Sequence, residues 1–138
     1  MFGLVIYLFG APVTYAAKNL KIVAMSSAEA EYAAAAYTCK EIMFVRKVLG
    51  DLGFTPSGPT VLCVDNQAAI KVAENVGVTA RTKHFDDTLH FFRHQVEHRV
   101  VVPTFVRTHH QCADGFTKPL GKGPFREWSR KLIHMNDD

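Results

Sequence analysis

Cysteine is scarce in this chain of 138 residues: Cys39, Cys63 and Cys112 lie far apart in apolar surroundings and form no C-x-x-C pair. That spacing argues against a zinc site or a redox couple and leaves free, buried thiols in a reducing, intracellular compartment as the expectation. Long hydrophobic runs are missing too. The stretch Gly3 to Phe9 is apolar, but it falls well short of the roughly 20 residues a membrane helix requires. It also lacks the basic flank and cleavage pattern of a secretion signal, so neither a membrane protein nor a secreted one is expected. Internal repeats, low-complexity tracts and linker-like segments are absent. Nor does one sign of charge dominate: 16 Lys and Arg against 13 Asp and Glu give a net charge of +3. Such a mildly basic balance suits a polyanionic partner without specifying one.

What the chain does have is apolar content, 48% of its residues, enough for one buried core, so a single domain over residues 1–138 is expected. Leu4-Val5-Ile6-Tyr7-Leu8-Phe9 and Val13-Thr14-Tyr15 flank Gly10-Ala11-Pro12 and read as strand, tight turn and strand. Ser26, with Glu29 three residues on, forms a capping box that opens a helix. Along that helix Ala28, Glu31 or Tyr32, Ala35, Cys39, Ile42, Val45 and Leu49 recur at helical spacing until Gly50 and Gly53 stop it, which sets Glu31 at the edge of a buried face. Thr60 to Val64 is apolar without alternation, the pattern of an interior strand covered on both faces, and Asp65 ends it. Helices follow over about Gln67 to Glu74 and Ala80 to His98, the second with Phe85, Leu89, Phe92 and Val96 on its apolar face. Arg99 to Val106 reads as a strand that Pro103 confines to a sheet edge. Thr108 to Gln111 resembles a second capping box opening a short helix that carries Asp114 and ends near Lys118-Pro119. A last amphipathic helix spans about Pro124 to Ile133. Strands alternating with helices indicate an α/β or α+β layer architecture.

Three acids stand where the pattern predicts burial or the end of a buried element: Glu31, Asp65 and Asp114. An ionised carboxylate in a low-dielectric site costs several kcal/mol (about 1–3 or more) unless cations or donors compensate, so converging acids point to a metal. Magnesium, a hard cation with oxygen ligands, is the natural candidate. The plain readings stay open at this stage: Glu31 capping a helix turn, Asp65 as the N-cap of the next helix, Asp114 favouring the start of its own helix through the macrodipole.

Four segments carry a resemblance. Ser26-Ser27-Ala28-Glu29-Ala30-Glu31-Tyr32, Val64-Asp65-Asn66-Gln67-Ala68-Ala69-Ile70, Arg81-Thr82-Lys83-His84-Phe85-Asp86 and Ala113-Asp114-Gly115-Phe116-Thr117-Lys118-Pro119-Leu120 resemble, in order and at about the family's spacing, the motifs of ribonuclease H domains in Ty1/copia-type retroelement polyproteins. The resemblance covers nearly the whole chain. It implies an α/β, ribonuclease H-like fold with a mixed sheet of five strands flanked by helices. It also implies four carboxylates holding two Mg2+ (or Mn2+) ions that cut the RNA strand of an RNA–DNA hybrid. Glu31 matches the family's helix glutamate, Asp65 its strand-end aspartate and Asp114 its last aspartate. Glu29, accounted for by the capping box, is the rival for the helix position.

One departure accompanies the match. The family's first aspartate lies on a central strand preceding the one that begins here at Gly3, and residues 1 and 2 leave no room for it. The expectations that follow are an N-terminally incomplete domain and a metal site one ligand short. The sheet would lack its middle strand, so that the hairpin pairs directly with the strand ending at Asp65 or leaves exposed edges open to self-association. A non-catalytic, nucleic-acid-binding or decayed remnant of the same fold is the alternative to an active nuclease. The implied partners are an RNA–DNA hybrid and a reverse transcriptase domain in the same polyprotein, in a cytoplasmic particle or the nucleus, with no membrane.

Cations at a helix start oppose the helix dipole, so Arg81, Lys83 and His84 are candidates for contact with a phosphate backbone. Asn66 and Gln67 beside Asp65, and Lys118 beside Asp114, complete the expected nucleic-acid contacts. Lys118, Lys122, Arg126, Arg130 and Lys131 make a basic cluster, and Trp128 among them reads as core rather than as a stacking platform. His90, His94 and His98, spaced by four, read as a solvated strip rather than a transition-metal site. His109 and His110 stand near Asp114 without an assigned role.

Overall fold

The computed structural model describes residues 1–21, 23–24, 26–74 and 87–133. These form a mixed α/β structure of four α-helices and two small sheets. The chain divides into two compact units, Met1–Ile22 with Thr108–Asp138, and Val23–Arg107. Arg81, Lys83 and His84, and with them the expected start of the long helix, lie outside the described residues.

The first unit is built on a hairpin of β1 (Phe2–Leu8) and β2 (Ala11–Lys18). Phe9 and Gly10 both take positive φ, 53° and 81°, the conformation of the two-residue turn whose twist matches the flanking strands. The strands run antiparallel with Val5 opposite Tyr15, and a bulge between Ile6 and Tyr7 brings Tyr7 opposite Pro12. A Cβ at Gly3 would collide with the Ala113 carbonyl, so the absence of a side chain there lets the segment Cys112–Phe116 sit directly on β1. That segment is a 3₁₀ turn, preceded by another at Thr108–His110. The expected α-helix with a Thr108 capping box does not form: Gln111 stands at the N-cap of the second turn and makes no side-chain cap bond. The segment follows what it touches, β1 at Gly3 and Trp128 at Gly115, in tight turns rather than a regular helix. α4 (Lys122–Ile133) closes the unit with Tyr7 Oη donating to the Leu132 carbonyl at 3.0 Å.

The second unit is organised by α1 (Ser27–Asp51). Ser26 Oγ accepts from the Glu29 amide at 3.2 Å, the serine half of the capping box. The buried residues are Tyr32, Ala33, Ala35, Ala36, Thr38, Cys39 and Ile42, small side chains that let α1 pack closely on its neighbours. The helix continues through Gly50, and the turn comes at Gly53, whose φ is +86°. Arg46 donates to the Gly58 carbonyl at 3.0 Å and to Thr60 Oγ1 at 2.8 Å, pinning α1 to the start of β3 (Thr60–Val64). β3 leads through α2 (Gln67–Glu74) and α3 (Asp87–Glu97) to β4 (Val101–Phe105), its parallel partner, with Leu62 opposite Pro103. A parallel pair needs such a crossover. Tyr32 and Phe92 rings meet at 5.5 Å, Tyr32 Oη donates to the Leu89 carbonyl, and Lys40 donates to Thr88 Oγ1 at 2.5 Å.

Two expectations are corrected. β3 is not covered on both faces: Leu62 and Val64 are buried while Val61 and Cys63 are exposed, because the helices of this unit cover one side of a two-stranded sheet. Cys63 is therefore an exposed thiol, Cys112 is half-buried and Cys39 alone is buried. Among the described residues there are four strands in two separate pairs, not one mixed sheet. β4 pairs with β3 alone, in keeping with an edge position for Pro103. No helix among the described residues is long and apolar enough to cross a membrane.

Candidate functional site

Asp65 directly follows β3 and is half-buried. Its neighbour Asn66, not Asp65, caps α2: Asn66 Oδ1 accepts from the amides of Ala68 at 2.9 Å and Ala69 at 3.2 Å. One plain reading of Asp65 is thereby removed, since the orphan amides of α2 take their acceptor from the next residue. The same bonds occupy the Asn66 side-chain oxygen and leave Gln67 exposed on the first turn of α2.

Glu31 is half-buried in the second turn of α1, beside the buried Tyr32 and close to Ala35. The α1–β3 connection reverses the chain, and Arg46 ties the far part of α1 to Thr60. Measured from that tie, Glu31 lies roughly 22 Å back along the helix at 1.5 Å per residue. Asp65 lies roughly 17 Å along the strand in the returning direction. Both acids thus belong to the same end of their unit.

Asp114 belongs to the other unit, in the turn that rests on β1. Its carboxylate is ion-paired with Lys118, and its carbonyl accepts from the Thr117 amide and Oγ1, each at 3.1 Å. The i,i+4 spacing of Asp114 and Lys118 was visible in the sequence, but the pairing was not anticipated. Gly115 leaves the space in which the Trp128 indole sits, since a Cβ there would overlap the ring. Trp128 Nε1 donates to the Cys112 carbonyl at 2.8 Å. Trp128 is half-buried, fastening α4 to the turn that carries Asp114.

Among the described residues no group of three or more His, Cys, Asp or Glu side chains is placed to hold a metal ion. That includes the histidines of α3: His90, His94 and His98 are exposed, with His94 and His98 stacked at 4.0 Å. His109 and His110 are exposed in the first 3₁₀ turn. Burial raises two other groups, lifting the Cys39 thiol to about 12 and the Tyr7 phenol to about 12, the latter with a further push from Cys112.

No family model and no solved structure matches the chain. Sequence relatives do, over nearly the whole of this chain. The retrovirus-related Pol polyprotein from transposon RE2 of Arabidopsis thaliana is 37% identical over 130 residues, 94% of this chain and 9% of that protein. The corresponding polyprotein from transposon RE1 of the same plant is 35% identical over 130 residues, again 94% and 9%. That from transposon TNT 1-94 of Nicotiana tabacum is 34% identical over 135 residues, 96% of this chain and 10% of that protein. The chain spans about a tenth of the length of these relatives. Over nearly its whole length it is a homologue of one segment of the retrovirus-related Pol polyproteins of Ty1/copia-type transposons.

Proposed function

We propose that this segment is the ribonuclease H-like part of its polyprotein and takes part in metal-dependent, endonucleolytic hydrolysis of the RNA strand of RNA–DNA hybrids. The observation that carries the reading is Asp65: a half-buried carboxylate at the end of a strand, in a motif resembling the family's, with the helix-capping duty performed by Asn66. Glu31 and Asp114 complete the set. Their donor chemistry, carboxylate oxygen throughout, suits Mg2+ or Mn2+. Two such ions would activate a water and stabilise the leaving oxygen of the phosphodiester. Lys118, ion-paired with Asp114, would be displaced by a cation bound there. A hybrid would be held through its A-form shape and backbone rather than its sequence. Arg81, Lys83, His84, Asn66, Gln67 and Lys118 are the proposed contacts, with a reverse transcriptase domain of the same polyprotein as neighbour, in a cytoplasmic particle or the nucleus.

Glu31, Asp65 and Asp114 match three of the family's carboxylates, and a non-catalytic, nucleic-acid-binding role is the second reading. The test is cleavage of a labelled RNA–DNA hybrid with Mg2+ or Mn2+ by the chain and by Asp65→Asn. Metal-dependent cleavage lost in Asp65→Asn supports the nuclease. Equal rates would assign any cleavage to something other than this site.

A further inference from the structure

The hairpin unit carries a feature that the carboxylates do not use. Tyr15, on β2, is 67% exposed, yet its ring is held: it stacks on Phe116 with centroids 5.4 Å apart and planes within 6°. Phe116 in turn meets Trp128 edge-on at 5.1 Å, and Phe125, 52% exposed, lies 5.8 Å from Trp128. The Trp128 bond to the Cys112 carbonyl anchors the series. Single exposed aromatics are ordinary on protein surfaces. Four in succession, with an outward ring backed by a parallel one, make a rigid platform whose free face is already oriented.

The helix supplying Trp128 and Phe125 also supplies charge. Lys122, Arg126 and Arg130 recur every four residues, so they share one side of α4, next to the Phe125 side. None of the three is in an ion pair among the described residues, whereas Lys131 is paired with Glu127 at 3.1 Å. No residue of α4 is buried, which leaves this stripe in water. Like charges at this spacing repel one another, and a polyanion lying along them would relieve that repulsion. Aromatic faces beside cations are the two elements with which proteins bind unpaired bases and their phosphates.

We propose that this surface binds single-stranded nucleic acid, with a base stacked on the outer face of Tyr15 and the backbone running along Lys122, Arg126 and Arg130. Duplex ends aside, a paired strand cannot offer its base faces to Tyr15, so the preference is for unpaired strands. Binding needs no divalent metal and none of Glu31, Asp65 or Asp114, so it stands or falls apart from the nuclease reading.

The experiment is fluorescence anisotropy of a labelled oligothymidylate of about a dozen nucleotides, and of a duplex of equal length, with the full chain in EDTA. Three variants are compared: Tyr15→Phe, which keeps the aromatic face; Tyr15→Leu, which keeps apolar contact with Phe116 but removes that face; and the triple change of Lys122, Arg126 and Arg130 to Ala. Thermal melting and the emission of Trp128 confirm that each is folded. The single strand should bind more tightly than the duplex, and Tyr15→Leu should weaken it by about tenfold while Tyr15→Phe leaves it within about twofold. Three neutralised phosphates correspond to a slope of about −2 in log affinity against log salt, a slope the triple variant should lose. Equal affinity of Tyr15→Leu and wild type, equal binding of duplex and single strand, or an unchanged salt slope in the triple variant would overturn the proposal. Loss of binding in EDTA would do the same.

Discussion

At the scale of single residues, burial and hydrogen bonding separate groups with similar sequence surroundings. Cys39, Cys63 and Cys112 all stand among apolar neighbours in the sequence, but Cys39 is buried and Cys63 is exposed. The buried thiol gives a pH signature. Its ordinary value of 9.0 is raised by burial to about 12 in the folded chain, so between these values the unfolded state loses a proton that the folded state keeps. Stability contributed by the neutral thiol is complete below about pH 9 and is lost as pH rises towards 12. Tyr7, raised from 10.0 to about 12, acts with the same sign from pH 10 upward. Urea midpoints should therefore be flat to about pH 9 and fall beyond it, with the fall in Cys39→Ala beginning nearer pH 10. Identical alkaline profiles for the two proteins would remove Cys39 from the account. Glu31's place at the rim of the buried stripe was legible from spacing. Whether Asp65 capped α2 was not, because capping depends on the orientation of a side chain one residue further on.

Secondary-structure elements were largely legible where periodicity and punctuation agree. The hairpin, α1, α2 and the final helix all form near their expected positions, since each has a turn, a cap or an amphipathic stripe of its own. The failures share a cause. β3 follows Thr60 with four apolar residues in sequence, and a run of that kind cannot report whether one or both faces will be covered. The segment around Asp114 carried a capping signature, but its geometry is dictated by what it touches: β1 at Gly3 and Trp128 at Gly115. At this scale the cap of α2 gives a clear expectation. Asn66→Ala removes the acceptor for two amides and should cost about 1 kcal/mol, whereas Asp65→Asn should change stability by far less. Chemical denaturation of both variants checks the order, and a larger loss for Asp65→Asn would mean that the carboxylate performs a structural duty.

For the molecule as a whole, the order of elements was readable and the pairing of strands was not. Strand pairing is decided by long-range contacts, and among the described residues it yields two two-stranded sheets in two units, where the resemblance implied one sheet of five strands. Homology to a segment of Pol polyproteins covers nearly the whole chain, and the matched segment is about a tenth of each relative. The central claim of the proposed function is that the carboxylates of Glu31, Asp65 and Asp114 are cation ligands. Paramagnetic broadening by Mn2+ tests it most directly, read from the backbone amide signals of the full chain in solution. The account predicts that the amides around residues 31, 65 and 114 broaden selectively at low Mn2+ concentration, and that Asp65→Asn shifts the response around residue 65 to higher concentration. Broadening that spares these positions, or a response around residue 65 that Asp65→Asn leaves unchanged, would contradict it.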